Sequence, residues 1–181
     1  MLIQPNKSLL LVIDVQDKLL AAMPEPEALT DNIRWICQVA KQLGIPTLAT
    51  EQYPEGLGGT QASIAEQLSP ENILSKMAFS AMLEPGCHQR INQLRPSQVI
   101  IAGLEAHVCV LQTAIALKKE AREVYVLEDC IQSRNPNDKA LAMARLRDAG
   151  VFIVSREMVA FEWLQTAKHP EFKAISKGFI A

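Results

Sequence analysis

The sequence predicts an α/β fold, in which a mostly parallel sheet is covered by helices on both faces, on three observations. Short apolar runs of strand character alternate along the chain with longer stretches that carry apolar residues at helical spacing. The leading runs, Ser8 to Ile13 (SLLLVI) and Val99 to Ala102 (VIIA), are continuous instead of alternating, the pattern of strands buried on both sides. The length of 181 residues, with 49% hydrophobic and 21% charged, suits one sizeable core, a single domain over residues 1–181.

Taken in order, Ser8 to Ile13 is a central strand, and Asp14, Gln16 and Asp17 open a polar loop at its carboxyl end. Open α/β sheets bind ligands at that edge, which makes Asp14 a candidate site residue; capping the next turn is the alternative. Ile33, Ile36, Val39, Ala40 and Leu43 predict a helix over Glu27 to Leu43, stopped by Gly44. Trp35 and Cys37 on it read as packing residues. Ile45 to Ala49 is a second strand, and Thr50 to Gly59 (TEQYPEGLGG) is a loop at its carboxyl end, where loops often line sites. Tyr53 in that loop is either a ligand contact or a loop anchor.

Asn72 to Ser75 is a short third strand, with Lys76 directly after it and MAFSAM beyond. Pro85 to Leu94 is a helix, and Val99 to Ala102 a fourth strand that Gly103 ends. Val108, Leu111, Ile115 and Leu117 predict the next helix, which places Cys109 on or just before its first turn. Glu123 to Leu127 is a fifth strand, Asn137 to Gly150 a helix and Val151 to Val154 a sixth strand. Arg156 to Ala181 is helical with a break at Pro170.

The formal net charge of −2 and the scattered Lys and Arg form no basic stripe for nucleic acid and no basic amphipathic helix for a membrane surface. The apolar run ending at Asp14 is too short to span a bilayer and lacks the layout of a signal peptide, so a cytoplasmic location is expected. Cys37, Cys87, Cys109 and Cys130 are widely separated, and His88, His107 and His169 are equally dispersed. Neither a disulfide framework nor a metal site is indicated, and no cofactor is expected.

At a strand-to-helix junction, unpaired backbone N–H groups and the helix dipole favour a thiolate and can hold an oxyanion. Cys109 is therefore a candidate nucleophile, the alternative being a small buried apolar residue. Asp14, Lys76 and Cys109 each follow an apolar strand, and the carboxyl ends of parallel strands share one edge. Together they supply a proton acceptor, a cation that lowers a thiol pKa, and the thiol itself.

Three motifs in this order, LLVIDVQ around Asp14, SKMAFSAM around Lys76 and GLEAHVCVLQTA around Cys109, resemble the isochorismatase-like cysteine hydrolases. The resemblance runs from about Leu9 to about Ser155. EQYPEGLG and the late HPEFK are closest to the branch of isochorismatase domain-containing proteins. It implies a three-layer α/β/α, Rossmann-type fold with a six-stranded parallel sheet of order 3-2-1-4-5-6, and a catalytic triad of Asp14, Lys76 and Cys109. It also implies a cis peptide between Leu104 and Glu105, whose turned Glu105 N–H joins that of Cys109 as an oxyanion hole. Gln16, Tyr53, Phe79 and His107 are the residues expected to line the substrate pocket.

Two departures from relatives narrow the expectation. Nicotinamidases of the family carry an Asp and His metal cluster after the second strand, where this chain reads TEQYPEGLGG; nicotinamidase activity is not expected. True isochorismatases cleave a vinyl ether without a cysteine at the triad position, so Cys109 argues against that activity. Glu105, larger and more acidic than is usual there, either rejects anionic substrates or points away. The leading expectation is a hydrolase of a small-molecule amide or related C–N bond through an acyl-thioester. The alternatives are a silent ligand-binding or redox-responsive thiol protein and a vinyl-ether hydrolase. The apolar segment Met158 to Leu164 (MVAFEWL) either closes the core or forms an interface, and a homo-oligomer of two-fold symmetry is expected.

Overall fold

The computed structural model describes Met1 to Ile180, with backbone alone for Phe179 and Ile180; Ala181, the last residue of the predicted terminal helix, lies outside the described residues. Six strands, β1 (Ser8–Ile13), β2 (Thr47–Gln52), β3 (Ile73–Lys76), β4 (Gln98–Leu104), β5 (Glu123–Gln132) and β6 (Phe152–Val154), form a sheet of order β3-β2-β1-β4-β5-β6. Every pairing is parallel. The helices are α1 (Asp17–Leu20), α2 (Pro26–Gln42), α3 (Pro54–Leu57), α4 (Ala62–Ala65), α5 (Pro85–Leu94), α6 (Leu111–Lys119), α7 (Pro136–Asp148), α8 (Arg156–Leu164) and α9 (Phe172–Ile175).

Successive strand residues point to opposite sides of the sheet, and both sides are filled. Leu10, Val12, Ile100 and Ala102 share one core with Ile33, Ile36 and Val39 of α2 and Val159 and Trp163 of α8. Leu9, Leu11, Ile13, Val99 and Ile101 share the other with Ile91 of α5, Leu111 and Leu117 of α6, and Met143 and Leu146 of α7. β1 and β4 are buried at every position, which is why their sequences are continuous apolar runs. The segment Met158 to Leu164 divides between its two expected uses. Trp163 is buried and its indole N–H donates to Ser8 Oγ at 2.9 Å, whereas Met158 and Phe161 are exposed.

Four differences from the sequence-based expectation bear on the site. β2 runs to Gln52, so Thr50, Glu51 and Gln52, expected in a loop, are strand residues paired with Leu74, Ser75 and Lys76. Lys76 is accordingly the last residue of β3 and not the first beyond it. Gly103 lies inside β4, at φ 120°, opposite Ile13. A Cβ there would sit 2.0 Å from the Ile13 carbonyl oxygen, so the glycine is what lets β1 and β4 touch. β5 extends past Leu127 to Gln132, with a register shift against β4 between Ile101 and Gly103. The terminal helix also breaks earlier than Pro170, at Gln165, which adopts φ 61°.

Candidate active site

The parallel register assembles the site. Ile13 pairs with Thr50 on one side and Gly103 on the other, so Asp14, the next residue, emerges between β2 and β4. Gln52 pairs with Lys76, which brings the lysine to the same edge. Asp14 takes φ 52°, a left-handed conformation that Asp tolerates better than most residues. Its side chain is fully buried, and Thr50 Oγ1 donates to its Oδ1 at 2.8 Å. Lys76 Nζ, also fully buried, lies 2.8 Å from Asp14 Oδ2.

Further acceptors surround the lysine of that ion pair. The Lys76 ammonium donates to Gln52 Oε1 at 2.5 Å and to the carbonyls of Ala78 and Phe79 at 3.2 and 3.1 Å. An ammonium has three protons, which Asp14 Oδ2, Gln52 Oε1 and the two carbonyls share. The Asp14 carboxylate thus carries the lysine ion pair on Oδ2 and the Thr50 hydrogen bond on Oδ1. The loop that supplies the two carbonyls is held in turn: Glu84 Oε2 accepts from Met77 and Ala78 N–H, and Thr113 Oγ1 of α6 accepts from Ala81 N–H.

Cys109 faces this pair. Its thiol interacts with the Asp14 and Lys76 side chains by both charge and hydrogen bonding. It sits just before the first turn of α6, one of the two places expected, inside a π-helical turn over Ala106–Val110. The N–H groups of Val108 and Val110 both donate to the Glu105 carbonyl, at 3.1 and 3.2 Å, and the intervening Cys109 N–H does not. The wide turn thus leaves that amide beside the thiol, a use to which π turns are often put at functional sites. The peptide bond between Leu104 and Glu105 is cis, as the resemblance implies.

The expectation that the lysine and the helix produce a thiolate is corrected here. Burial first, then the Asp14 carboxylate, push the Cys109 thiol up to about 12, and Lys76 recovers only part of that. The resting group is a neutral thiol with a carboxylate beside it. Acidity does not distinguish it from the other cysteines either, since burial and then Glu84 leave Cys87 at about 11 and burial alone pushes Cys37 up to about 12. Access does: Cys109 is 6% exposed, against 0–1% for Cys37, Cys87 and Cys130. Limiting iodoacetamide is expected to label Cys109 first in the folded protein; peptide mapping that finds Cys87 first would count against its role.

The residues expected around the triad are placed as follows. Gln16 is fully buried and its amide is engaged by main chain: Nε2 donates to the carbonyls of Gln52 and Gly58 at 3.0 and 2.6 Å, and Oε1 accepts from Gln52 N–H at 2.9 Å. It builds the wall of the site and presents no free polar atom to a ligand. Tyr53 is half exposed, with its N–H on the Lys76 carbonyl at 2.9 Å. Phe79 contributes its carbonyl to Lys76 while its ring is exposed. His107 binds Ser133 Oγ through Nδ1 at 2.9 Å and borders a groove of about 650 Å³ with Ser80, Leu111 and Gln112. The Glu105 carboxylate turns to Arg134, accepting from its N–H and Nε at 3.2 and 3.0 Å. Thr50 and Gln52 were not foreseen as site residues because their stretch reads as a loop; the polar TEQ at a strand's carboxyl end was the available signal. No metal-ligating cluster of three or more His, Cys, Asp or Glu occurs among the described residues. No helix among them is long and apolar enough to cross a membrane.

A buried Asp–Lys pair beside a cysteine, at the carboxyl edge of a 3-2-1-4-5-6 parallel sheet, defines an isochorismatase-like α/β protein. The chain belongs to the isochorismatase family of hydrolases: the Isochorismatase domain profile matches residues 8–158. Isochorismatase domain-containing protein 2 of Danio rerio is 37% identical over 171 residues, covering 94% of this chain and 85% of that one. The structure described as MAR1 ribonuclease from Caenorhabditis elegans superposes with a TM-score of 0.93 at 32% identity, covering 100% of this chain and 93% of that one. The YcaC gene product of Escherichia coli, described as an octameric hydrolase of unknown specificity, matches with a TM-score of 0.93 over 99% of this chain and 91% of that one. Its identity is 22%, so this last likeness is one of fold alone.

Proposed function

We propose that this protein hydrolyses a small-molecule amide or related C–N bond through a covalent thioester on Cys109. The observation that carries the reading is the fully buried Asp14 carboxylate in hydrogen-bonding contact with the Cys109 thiol, with Lys76 2.8 Å from its Oδ2. As Sγ forms a bond to the substrate's carbonyl carbon, the thiol proton passes to Asp14. The N–H groups of Glu105 and Cys109 hold the oxyanion. Collapse of that intermediate breaks the C–N bond, and the leaving amine takes the proton from Asp14. Water then attacks the thioester carbon and gives a proton to Asp14, the acid departs, and Sγ recovers the proton. Lys76 pairs with the carboxylate in a buried setting and offsets the negative charge that builds during attack.

The raised thiol pKa weighs against a redox-responsive role, since oxidation starts from the thiolate. The C. elegans relative is described as a ribonuclease, but this chain carries a net charge of −2 and no basic stripe for a polyanion. A small-molecule substrate and a homo-oligomer fit better; exposed Met158 and Phe161 support the latter.

The test needs no substrate. A neutral thiol with a built-in base reacts at a rate independent of pH, because the proton acceptor is already present. The iodoacetamide rate constant of Cys109 is expected to be flat between about pH 6 and pH 9, where a free thiolate of raised pKa gives about tenfold per unit. Asp14→Asn is expected to abolish the flat region and restore the slope. A flat profile that survives Asp14→Asn, or a wild-type inflection near neutrality, rules the carboxylate out as the acceptor.

A further inference from the structure

We propose that Arg134 is a positioning residue for the oxyanion hole: by gripping the Glu105 carboxylate it fixes the main chain that carries the Glu105 and Cys109 N–H groups. The inference rests on the reading of Cys109 as the nucleophile and of those two amides as the hole. Glu105 follows the last residue of β4 and leads into the π turn that holds Cys109. Its carbonyl accepts from Val108 and Val110 N–H, whereas its own N–H has no main-chain acceptor among the described residues. Donors of this kind stabilise an oxyanion only where they are held in place before the oxygen's charge develops.

The holding is done from the segment that follows β5. Sheet pairing between the two strands ends at Leu104 with Gln132, one residue short of Glu105. Beyond it, a single oxygen of Glu105, Oε2, accepts both the Arg134 N–H at 3.2 Å and the Arg134 Nε–H at 3.0 Å. His107 Nδ1 and Ser133 Oγ, 2.9 Å apart, join the same two segments again. The far segment is itself anchored, since Ser133 is buried and Asn135 caps α7 by accepting from Asn137 N–H. Ala142 and Met143 of α7 share a core with Ala106 and Val110 of the π turn. The Glu105 side chain is 11% exposed and that of Arg134 62%, so the arginine can be changed without disturbing packing. Because an ion pair with so exposed a partner adds little to stability, its loss is expected to shift the amides and not to unfold the chain.

The experiment measures how acetaldehyde protects Cys109 from iodoacetamide in wild type, Arg134→Ala, Arg134→Glu and Arg134→Lys. Acetaldehyde adds reversibly to the thiol: Sγ bonds to the carbonyl carbon, the C=O double bond becomes single, and the thiol proton ends on the oxygen, which lies in the hole. The probe carries no charge for the guanidinium to bind. Iodoacetamide loses iodide and forms no such oxygen, so the alkylation rate without aldehyde reports the thiol alone. Arg134→Ala keeps its main-chain N–H on Glu105 and is expected to weaken acetaldehyde binding about threefold, whereas Arg134→Glu, which repels the carboxylate, weakens it about tenfold. Arg134→Lys keeps a cation for the carboxylate and is expected to stay within about twofold of wild type. The alkylation rate without aldehyde is expected to be the same in all four proteins. Equal acetaldehyde affinity in wild type and Arg134→Glu overturns the proposal, and so does a parallel fall in alkylation, which would place the effect on the thiol. Arg134→Lys falling as far as Arg134→Glu also overturns it, because the grip on the carboxylate would then not be what the hole senses. If wild-type Cys109 binds acetaldehyde no more tightly than N-acetylcysteine does, the reading of the two amides as an oxyanion hole is what fails, and the proposal with it.

Discussion

Gly103→Ala is expected to be the most damaging single-methyl change in the molecule. A Cβ at this position meets three backbone atoms of Ile13 at 2.0, 2.6 and 2.8 Å, and the residue's φ of 120° is closed to side chains in any case. Neither obstacle yields to a rotamer change, because both are main chain of the two central strands. The loss is expected to be about 4 kcal/mol or more, within the range reserved for steric and backbone failures. Urea denaturation measures it, with Gly86→Ala as the control: nothing lies within 4 Å of that position, on a helix, and alanine there is expected to stabilise by about 0.5–1 kcal/mol. Equal effects at the two glycines would show that β1 and β4 do not depend on close approach.

Lys76→Met is the second large effect. It removes one member of a pair whose side chains are both fully buried, and leaves the Asp14 charge facing the Thr50 hydroxyl and the Cys109 thiol without a cation. Breaking a buried pair from one side costs about 3–5 kcal/mol, much more than replacing both members together. Asp14→Asn/Lys76→Met, which removes both charges, is therefore expected to recover most of the stability that Lys76→Met loses, while remaining inactive. If the double variant is as unstable as the single, packing and the three lost lysine hydrogen bonds, not the orphaned charge, set the cost. The lysine also lowers the Cys109 thiol pKa, so its loss raises that value further.

Much of this architecture is legible because burial on both faces leaves an unmistakable trace. SLLLVI and VIIA are strands in the sequence and strands in the fold, and the edge of the sheet lies at Asp14 after β1 and at Glu105 after β4. Resemblance supplied the strand order, which periodicity alone does not encode. Three things were hidden for physical reasons. TEQ extends β2 because its backbone pairs with β3, although polar residues before a proline and glycines look like a loop. Gly103 looks like a strand terminator, whereas its lack of a side chain serves a contact ninety residues away in sequence, with Ile13. The thiol's protonation is hidden because a lysine and a helix N-terminus are visible in the sequence, whereas the burial that raises the thiol pKa, and the closeness of the carboxylate charge that adds to it, appear only in the fold.

Covalent trapping on Cys109 is the most direct test. The protein, mixed with a panel of small amides and acylhydrazides and quenched in acid during turnover, is expected to carry the acyl mass on the peptide containing Cys109, with Cys109→Ala inactive and unlabelled. Turnover by Cys109→Ala at the wild-type rate, or an acyl group mapped to any other residue, would contradict the account.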